Sequence, residues 1–208
     1  MDLISIITPF YNAEDTIDLT INSILNQSYK NFECLLINDS STDKTLLLLN
    51  RYLKKDKRFK LFNSNKKGVV AARNFGINKS KGRFIAFLDA DDIWDPTFLM
   101  ESITFRNNLD MPIAITHSSY YRFKLSKNIF NIRLIKPPIK INRNNILHKN
   151  FLPLLTVVID RKVISKINFE NTRPEDYYLW INLIYRKNYV SISLQKPLAY
   201  YRISNQQR

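Results

Sequence analysis

The stretch RFIAFLDADD, Arg83 to Asp92, sets an apolar run directly against three carboxylates. Phe84 to Leu88 lack polar alternation, so they read as a strand buried on both faces rather than one half in water. A buried strand that delivers Asp89, Asp91 and Asp92 at its carboxyl end places acid where open α/β sheets hold their ligands. The Asp89/Asp91 spacing lets both carboxylates face one point. Three acids so close in sequence repel one another unless a cation sits among them. Hard oxygen ligands of this kind suit Mg2+ or Mn2+ bridging a diphosphate. Taken alone, the cluster also reads as a helix cap ahead of Trp94.

Outward from this stretch the first half repeats one theme. LISIITPF (3–10), FECLLIND (32–39) and FKLFNS (59–64) are further short apolar runs, and segments with helical spacing separate them at 13–27, 44–54 and 69–78. A fourth helical segment at 96–107 opens on Pro96, a residue favoured in a first helical turn. Strand–helix alternation predicts an α/β fold with a mostly parallel central sheet flanked by helices. Its strand ends carry Pro9, Tyr11 and Asn12, then Asp39 to Ser41, then the acid cluster. The second half is less regular. Strands are expected at 113–123, 128–136, 155–160 and 189–194, and a helix at 176–186. Pro137-Pro138 breaks the pattern and a basic linker follows it to Lys149. The expectation is one domain over 1–208, with halves meeting near residue 110.

Composition removes several classes. Gly68, Gly76 and Gly82 are the only glycines, and none is placed to build a G-x-G-x-x-G or G-x-x-x-x-G-K-[ST] loop. Cys34 is the only cysteine, which excludes a disulfide scaffold or Cys-rich zinc site and suits a reducing compartment. The longest apolar run, FLPLLTVVI at 151–159, is far short of the ~20 residues a spanning helix needs. The N-terminus lacks the basic region of a signal peptide, and a soluble, cytoplasmic chain is expected. The net charge of +14 is lopsided: residues 1–104 hold 14 Lys/Arg against 13 Asp/Glu, and residues 105–208 hold 18 against 5. Between Asp110 and Asp160 no acid occurs, while eight basic residues do. Such a face attracts anionic lipid, pyrophosphate or nucleic acid, unless it is merely solvated.

Five stretches in order, TPFYNAE (8–14), INDSSTDKT (37–45), GVVAARNFGI (68–77), FLDADD (87–92) and EDYYLW (175–180), resemble family 2 glycosyltransferases with the GT-A fold. The resemblance is close over 3–110 and looser over 175–202. It implies metal-dependent, inverting transfer of a sugar from a UDP-sugar to a glycan or lipid-diphosphate-linked acceptor, in bacterial surface-glycan synthesis. It also implies that Tyr11 stacks on the base with Pro9 and Glu14 beside it, and that Asp39 accepts a hydrogen bond from uracil N3–H. Lys67 and Arg73 would line the nucleotide pocket, with Asp89 and Asp91 at the diphosphate and Asp91 on the metal. Asp176 would be the catalytic base, with Glu175 the second choice. As bare sequence, Asp39 also reads as a helix cap, Arg73 as one half of a surface ion pair, and Glu175-Asp176 as first-turn acids favoured by the helix dipole.

Where such relatives often carry a histidine after a Tyr-Arg pair, this chain has Ile203-Ser204 after Tyr201-Arg202. His117 and His148 lack ligand spacing to another His or Cys, and both read as structural or surface residues. The chain ends at Arg208, so a longer segment covering the site is expected to be absent or removed. Two other readings compete. A sugar nucleotidyltransferase would want a glycine-rich loop that TPFYNAE lacks. A nucleic-acid module would use the basic half and Tyr120, Tyr121, Phe123 and Phe130, but leaves FLDADD unexplained. The basic half, with Phe123, Phe130 and Phe151, instead suits an anionic membrane surface and a peripheral location on the inner face of the cytoplasmic membrane.

Overall fold

The computed structural model describes residues 2–109, 112–126 and 129–203. Lys127 and Asn128, read from sequence as part of the basic stretch and the start of a strand, lie outside the described residues, as does the tail from Ser204. The first half forms the expected layer. Strands β1 (Ile4–Phe10), β2 (Phe32–Asn38), β3 (Phe59–Asn63) and β4 (Phe84–Phe87) run parallel in the order β3-β2-β1-β4. Helices α1 (Ile17–Leu25), α2 (Thr45–Lys55), α3 (Val69–Lys79) and α4 (Phe98–Asn107) connect and cover them. Burial on both faces follows from the unbroken apolar runs. Ile4, Ile6, Cys34, Leu36, Phe84 and Ala86 pack on the α1 side, and Ile7, Leu35, Ile37, Ile85 and Phe87 on the α3 side. Cys34 is wholly buried, and that burial pushes its thiol pKa up.

The second half extends the same sheet with mixed pairing. β5 (Ile93–Trp94) is a short strand that the sequence reading did not anticipate. It pairs antiparallel with β10 (Ser191–Arg202). β9 (Val157–Asp160) lies antiparallel between β4 and β6 (Ile115–Ser126), and β10 runs parallel to β6. β7 (Ile129–Ile135) hairpins onto β6, and β8 (Lys140–Ile141) caps β10. β10 runs eight residues beyond its expected end at Leu194, because Pro197 sits at a register shift instead of ending the strand. The expected helix at 176–186 is α-helical as α5 (Glu175–Trp180) and then widens into a π-helix (Ile181–Arg186). Helix α1 starts at Ile17, four residues later than its pattern suggested, after a turn in which Ala13 C=O accepts from Thr16 and Ile17.

Two glycines position the site. A Cβ on Gly76 would lie 2.6 Å from Ile7 Cγ2, so glycine lets α3 pack directly on β1. Gly68 holds φ at +105°, a conformation side chains rarely adopt, and this turns the chain from β3 into α3.

Candidate active site

The carboxyl ends of β1, β2 and β4 surround a cavity of about 330 Å3, at the position where parallel sheets bind ligands. Pro9, Tyr11, Asp39, Arg73, Asp89 and Asp91 line it. Tyr11 is 60% exposed although it follows a buried strand, which leaves its ring available for stacking. Asp39 is fixed from behind: Gly68 N–H lies 2.9 Å from each of its carboxylate oxygens, and lone pairs remain for a ligand N–H. Asn12 (φ 46°) ties the β1 loop to the β2 loop, its side-chain oxygen accepting from Thr42 N–H at 2.8 Å.

Asp89 and Asp91 both line the cavity while Asp92 is buried behind them, and each of the three acids of FLDADD has a separate environment. Asp89 takes a forked bond from Arg73 at 2.8 and 2.9 Å. Asp92 is 2% exposed and accepts from Arg202 N–H at 2.9 Å; burial, then the charges of Asp91 and Asp89, raise its pKa well above the usual carboxylate value. Asp91 faces the cavity and accepts only from its own N–H among the described residues; burial, then Asp89, raise its pKa. Repulsion is thus relieved by a guanidinium, a backbone donor and suppressed ionisation. Among the described residues no three His, Cys, Asp or Glu side chains form a metal cage. Asp91 alone fits a divalent cation whose remaining ligands are diphosphate oxygens and water, the usual habit of Mg2+.

Arg73 is the hub. Its side chain is 5% exposed; one terminal nitrogen forks onto Asp89, and the other reaches Glu175 Oε1 at 2.7 Å. The surface ion pair allowed by sequence is therefore a buried bridge between the first half and α5. Its Nε has no hydrogen-bond partner among the described residues. Asp176 turns instead to Asn150, whose amide donates at 3.0 Å, and to Tyr177 N–H at 2.7 Å. Burial raises its pKa, and these two donors pull the other way.

Two residues sit elsewhere than expected. Glu14 does not line the cavity; its carboxylate accepts from Lys44 N–H at 2.9 Å, at the start of α2. Lys67 lines a separate hollow on the far side of the α3 N-terminus. Sequence reasoning missed the brackets of the acid loop. Thr16 and Thr20, one turn apart on the α1 side, both donate to Ala90 C=O, and Thr20 also to Asp92 C=O. Arg202 Nε donates to Asp91 C=O at 2.7 Å, so the last strand holds the acid loop through Arg202. The threonine pair had a readable signal in its i, i+4 spacing; Asn150 and Arg202 had none. His117, as expected of a structural residue, is buried, with Nδ1 2.7 Å from Ser191 Oγ. Burial lowers its pKa to about 4.

Fold and cavity together are those of a glycosyltransferase of the GT-A type. Residues 5–152 match the model of Glycosyl transferase family 2, and the chain belongs to that family. It is 36% identical over 205 residues to the Escherichia coli protein WfgD, UDP-Glc:alpha-D-GlcNAc-diphosphoundecaprenol beta-1,3-glucosyltransferase, covering 97% of this chain and 78% of that one. S. aureus TarS in complex with UDP-GlcNAc shares the fold with a TM-score of 0.78 at 21% identity, over 100% of this chain. A mannosyltransferase from Pyrobaculum calidifontis, solved with GDP-Man and Mn2+, shares it at 0.72 and 15%, over 98% of this chain. This chain spans 60% and 57% of the lengths of those two structures.

Proposed function

We propose that the chain transfers a sugar, with inversion, from a UDP-sugar to a hydroxyl of a diphosphate-linked lipid glycan. The observation that carries this reading is the cavity in which exposed Tyr11, hydrogen-bonded Asp39 and Asp91 stand together with the Arg73–Asp89 fork. Tyr11 offers a face to the base and Asp39 an acceptor to uracil N3–H. Arg73 lines the cavity and holds Asp89 in place there. A Mg2+ or Mn2+ ion, held by Asp91, would supply positive charge next to the diphosphate. Asp176 takes the proton of the acceptor hydroxyl as that oxygen attacks the anomeric carbon and the carbon–oxygen bond to UDP breaks. Glu175 is committed to Arg73 and leaves the base role to its neighbour. Glu14, engaged at α2, drops out of the donor set.

The WfgD name supports UDP as the nucleotide and a diphospholipid as the acceptor carrier. The basic second half supports peripheral docking on anionic membrane, where such an acceptor resides. Exposed Ile132 and Leu134 on β7 flank Arg133, with Arg122 opposite it on β6. No helix among the described residues is long and apolar enough to cross a membrane. A thermal-shift panel of UDP, GDP, CDP and dTDP, with and without Mn2+, tests the donor site. Ligand at ~100 times its Kd stabilises by about 2.7 kcal/mol. A shift with UDP that requires the metal is expected; a response to another nucleotide reassigns the donor, and silence toward all four overturns the reading.

A further inference from the structure

The hollow that receives Lys67 is larger than the donor cavity, about 460 Å3, and shares only Val69 with it. Lys66, Lys67 and Arg173 line it, and among the described residues none of the three pairs with an acid. Its one carboxylate, Glu175, is already neutralised by Arg73. Gly68 to Ala71 form another wall. This is the start of an 11-residue helix: Asp39 accepts from the Gly68 N–H, and the N–H groups of Val69 to Ala71 have no partner among the described residues. Thr172 completes the lining; its hydroxyl oxygen is wholly buried and has no hydrogen-bond partner among the described residues.

Three cations that meet no acid among the described residues, together with the N–H groups of Val69 to Ala71, are a set of donors around one concavity. Helix starts and guanidinium groups both favour phosphate oxygens. We infer that this second cavity is an anion subsite that takes a diphosphate distinct from the donor's. It rests on the transferase reading for its role: Glu175 lines it, so a diphosphate seated here lies at the start of α5, next to the turn that also carries Asp176. The same chemistry is offered by a prenyl diphosphate and by free pyrophosphate.

The test uses the full chain, saturated with UDP and Mg2+ so that the donor cavity is filled, and titrated calorimetrically with farnesyl diphosphate and with inorganic pyrophosphate. Both are expected to bind on top of UDP. Tighter binding of the prenyl form assigns the site to a lipid-linked diphosphate; equal binding assigns it to the free anion. The variant K66A/K67A/R173A should lose at least tenfold in that second binding while its UDP affinity stays within twofold. The charge-preserving K66R/K67R/R173K should keep it, with an unchanged melting temperature in both variants. No second binding to the UDP-loaded chain, or a triple variant that weakens UDP and spares pyrophosphate, overturns the inference. A chain that ignores UDP yet holds pyrophosphate through these three residues sinks the donor reading and leaves the anion site standing.

Discussion

Residues up to 109 and residues from 112 onward differ in how their chemistry is assembled. In the first half a parallel layer sends every strand toward the same edge, so residues at each strand end meet without any long-range pairing having to be known. In the second half, mixed pairing brings together groups far apart in sequence: Arg73 and Glu175 are 102 residues apart, and Arg202 and Asp92 are 110. The first half lines the cavity; the second reaches it from behind, through Glu175 on Arg73 and Arg202 on the acid loop. Charge divides the same way, near neutral before residue 105 and strongly basic after it.

The largest test separates the two contributions. Asp91→Ala, in the first half, should abolish both transfer and the metal-dependent part of UDP binding, measured by calorimetry. Asp176→Asn, in the second, keeps shape and should keep UDP binding, with turnover down by about 10²–10⁴ as for loss of a general base. Because burial raises the Asp176 pKa, its base form accumulates only above the ordinary aspartate range. The rate should therefore rise with pH through an apparent pKa above ~3.9. A full rate for the asparagine variant would move the base elsewhere.

Next in size is the tie between the halves. Replacing Arg73 by Met leaves Asp89 and Glu175 facing each other without their counter-charge. Losing one partner of a buried pair costs about 3 kcal/mol, the low end of the usual range, because Asp89 is 35% exposed. Arg73→Lys should recover only part of this, since an ammonium cannot fork onto one acid while bonding another. Urea unfolding measures both, and an unchanged midpoint for the Met variant would show that the halves are held by packing alone.

These expectations also mark what was legible. The parallel sheet, its helices and the cavity residues Pro9, Tyr11, Asp39, Asp89 and Asp91 followed from apolar runs that end in polar strand termini. The positions of Lys67 and Glu14 did not, because local spacing cannot say on which side of a helix start a side chain emerges. The division of labour within FLDADD was also hidden: it depends on Arg73 from α3 and Arg202 from the last strand. β10 runs past its expected end at Leu194, and a register shift at Pro197 accompanies the extension.

A smaller effect concerns acid. His117, on β6 where it pairs with β10, has its pKa lowered from 6.5 to about 4, so the unfolded chain binds a proton over a range where the folded chain does not. Stability from this group is complete above pH 6.5 and is lost as pH falls toward 4. At pH ~5 the loss is about 2 kcal/mol. Hydrogen exchange at that pH should show the β6–β10 amides opening before those of β1 and β2, and His117→Gln should flatten the acid slope of the unfolding midpoint. Equal opening of both halves would mean that they unfold as one unit.

The smallest expected effect per residue tests whether the basic half meets a surface. Each basic side chain near an anionic membrane contributes about 1 kcal/mol, and the attraction fades beyond a Debye length of ~10 Å at 0.1 M salt. Arg122 and Arg133 face each other across the β6–β7 pair, and Lys136 follows β7, with Ile132 and Leu134 exposed between and beside them. Long basic side chains around two apolar ones allow shallow insertion with the charges at headgroup level. Liposome co-sedimentation should therefore require anionic lipid and weaken as salt rises. Reversing Arg133 alone to Glu should lower the partition coefficient several-fold; reversing Arg122, Arg133 and Lys136 together should remove binding and leave UDP affinity untouched. Changing Ile132 and Leu134 to Ser should weaken binding in a way that added salt does not mimic, since the apolar contribution is not screened. If the unmodified chain ignores anionic vesicles at low salt, the charge of the second half is a solvated face, and its contribution to function ends at α5 and the Arg202 bracket.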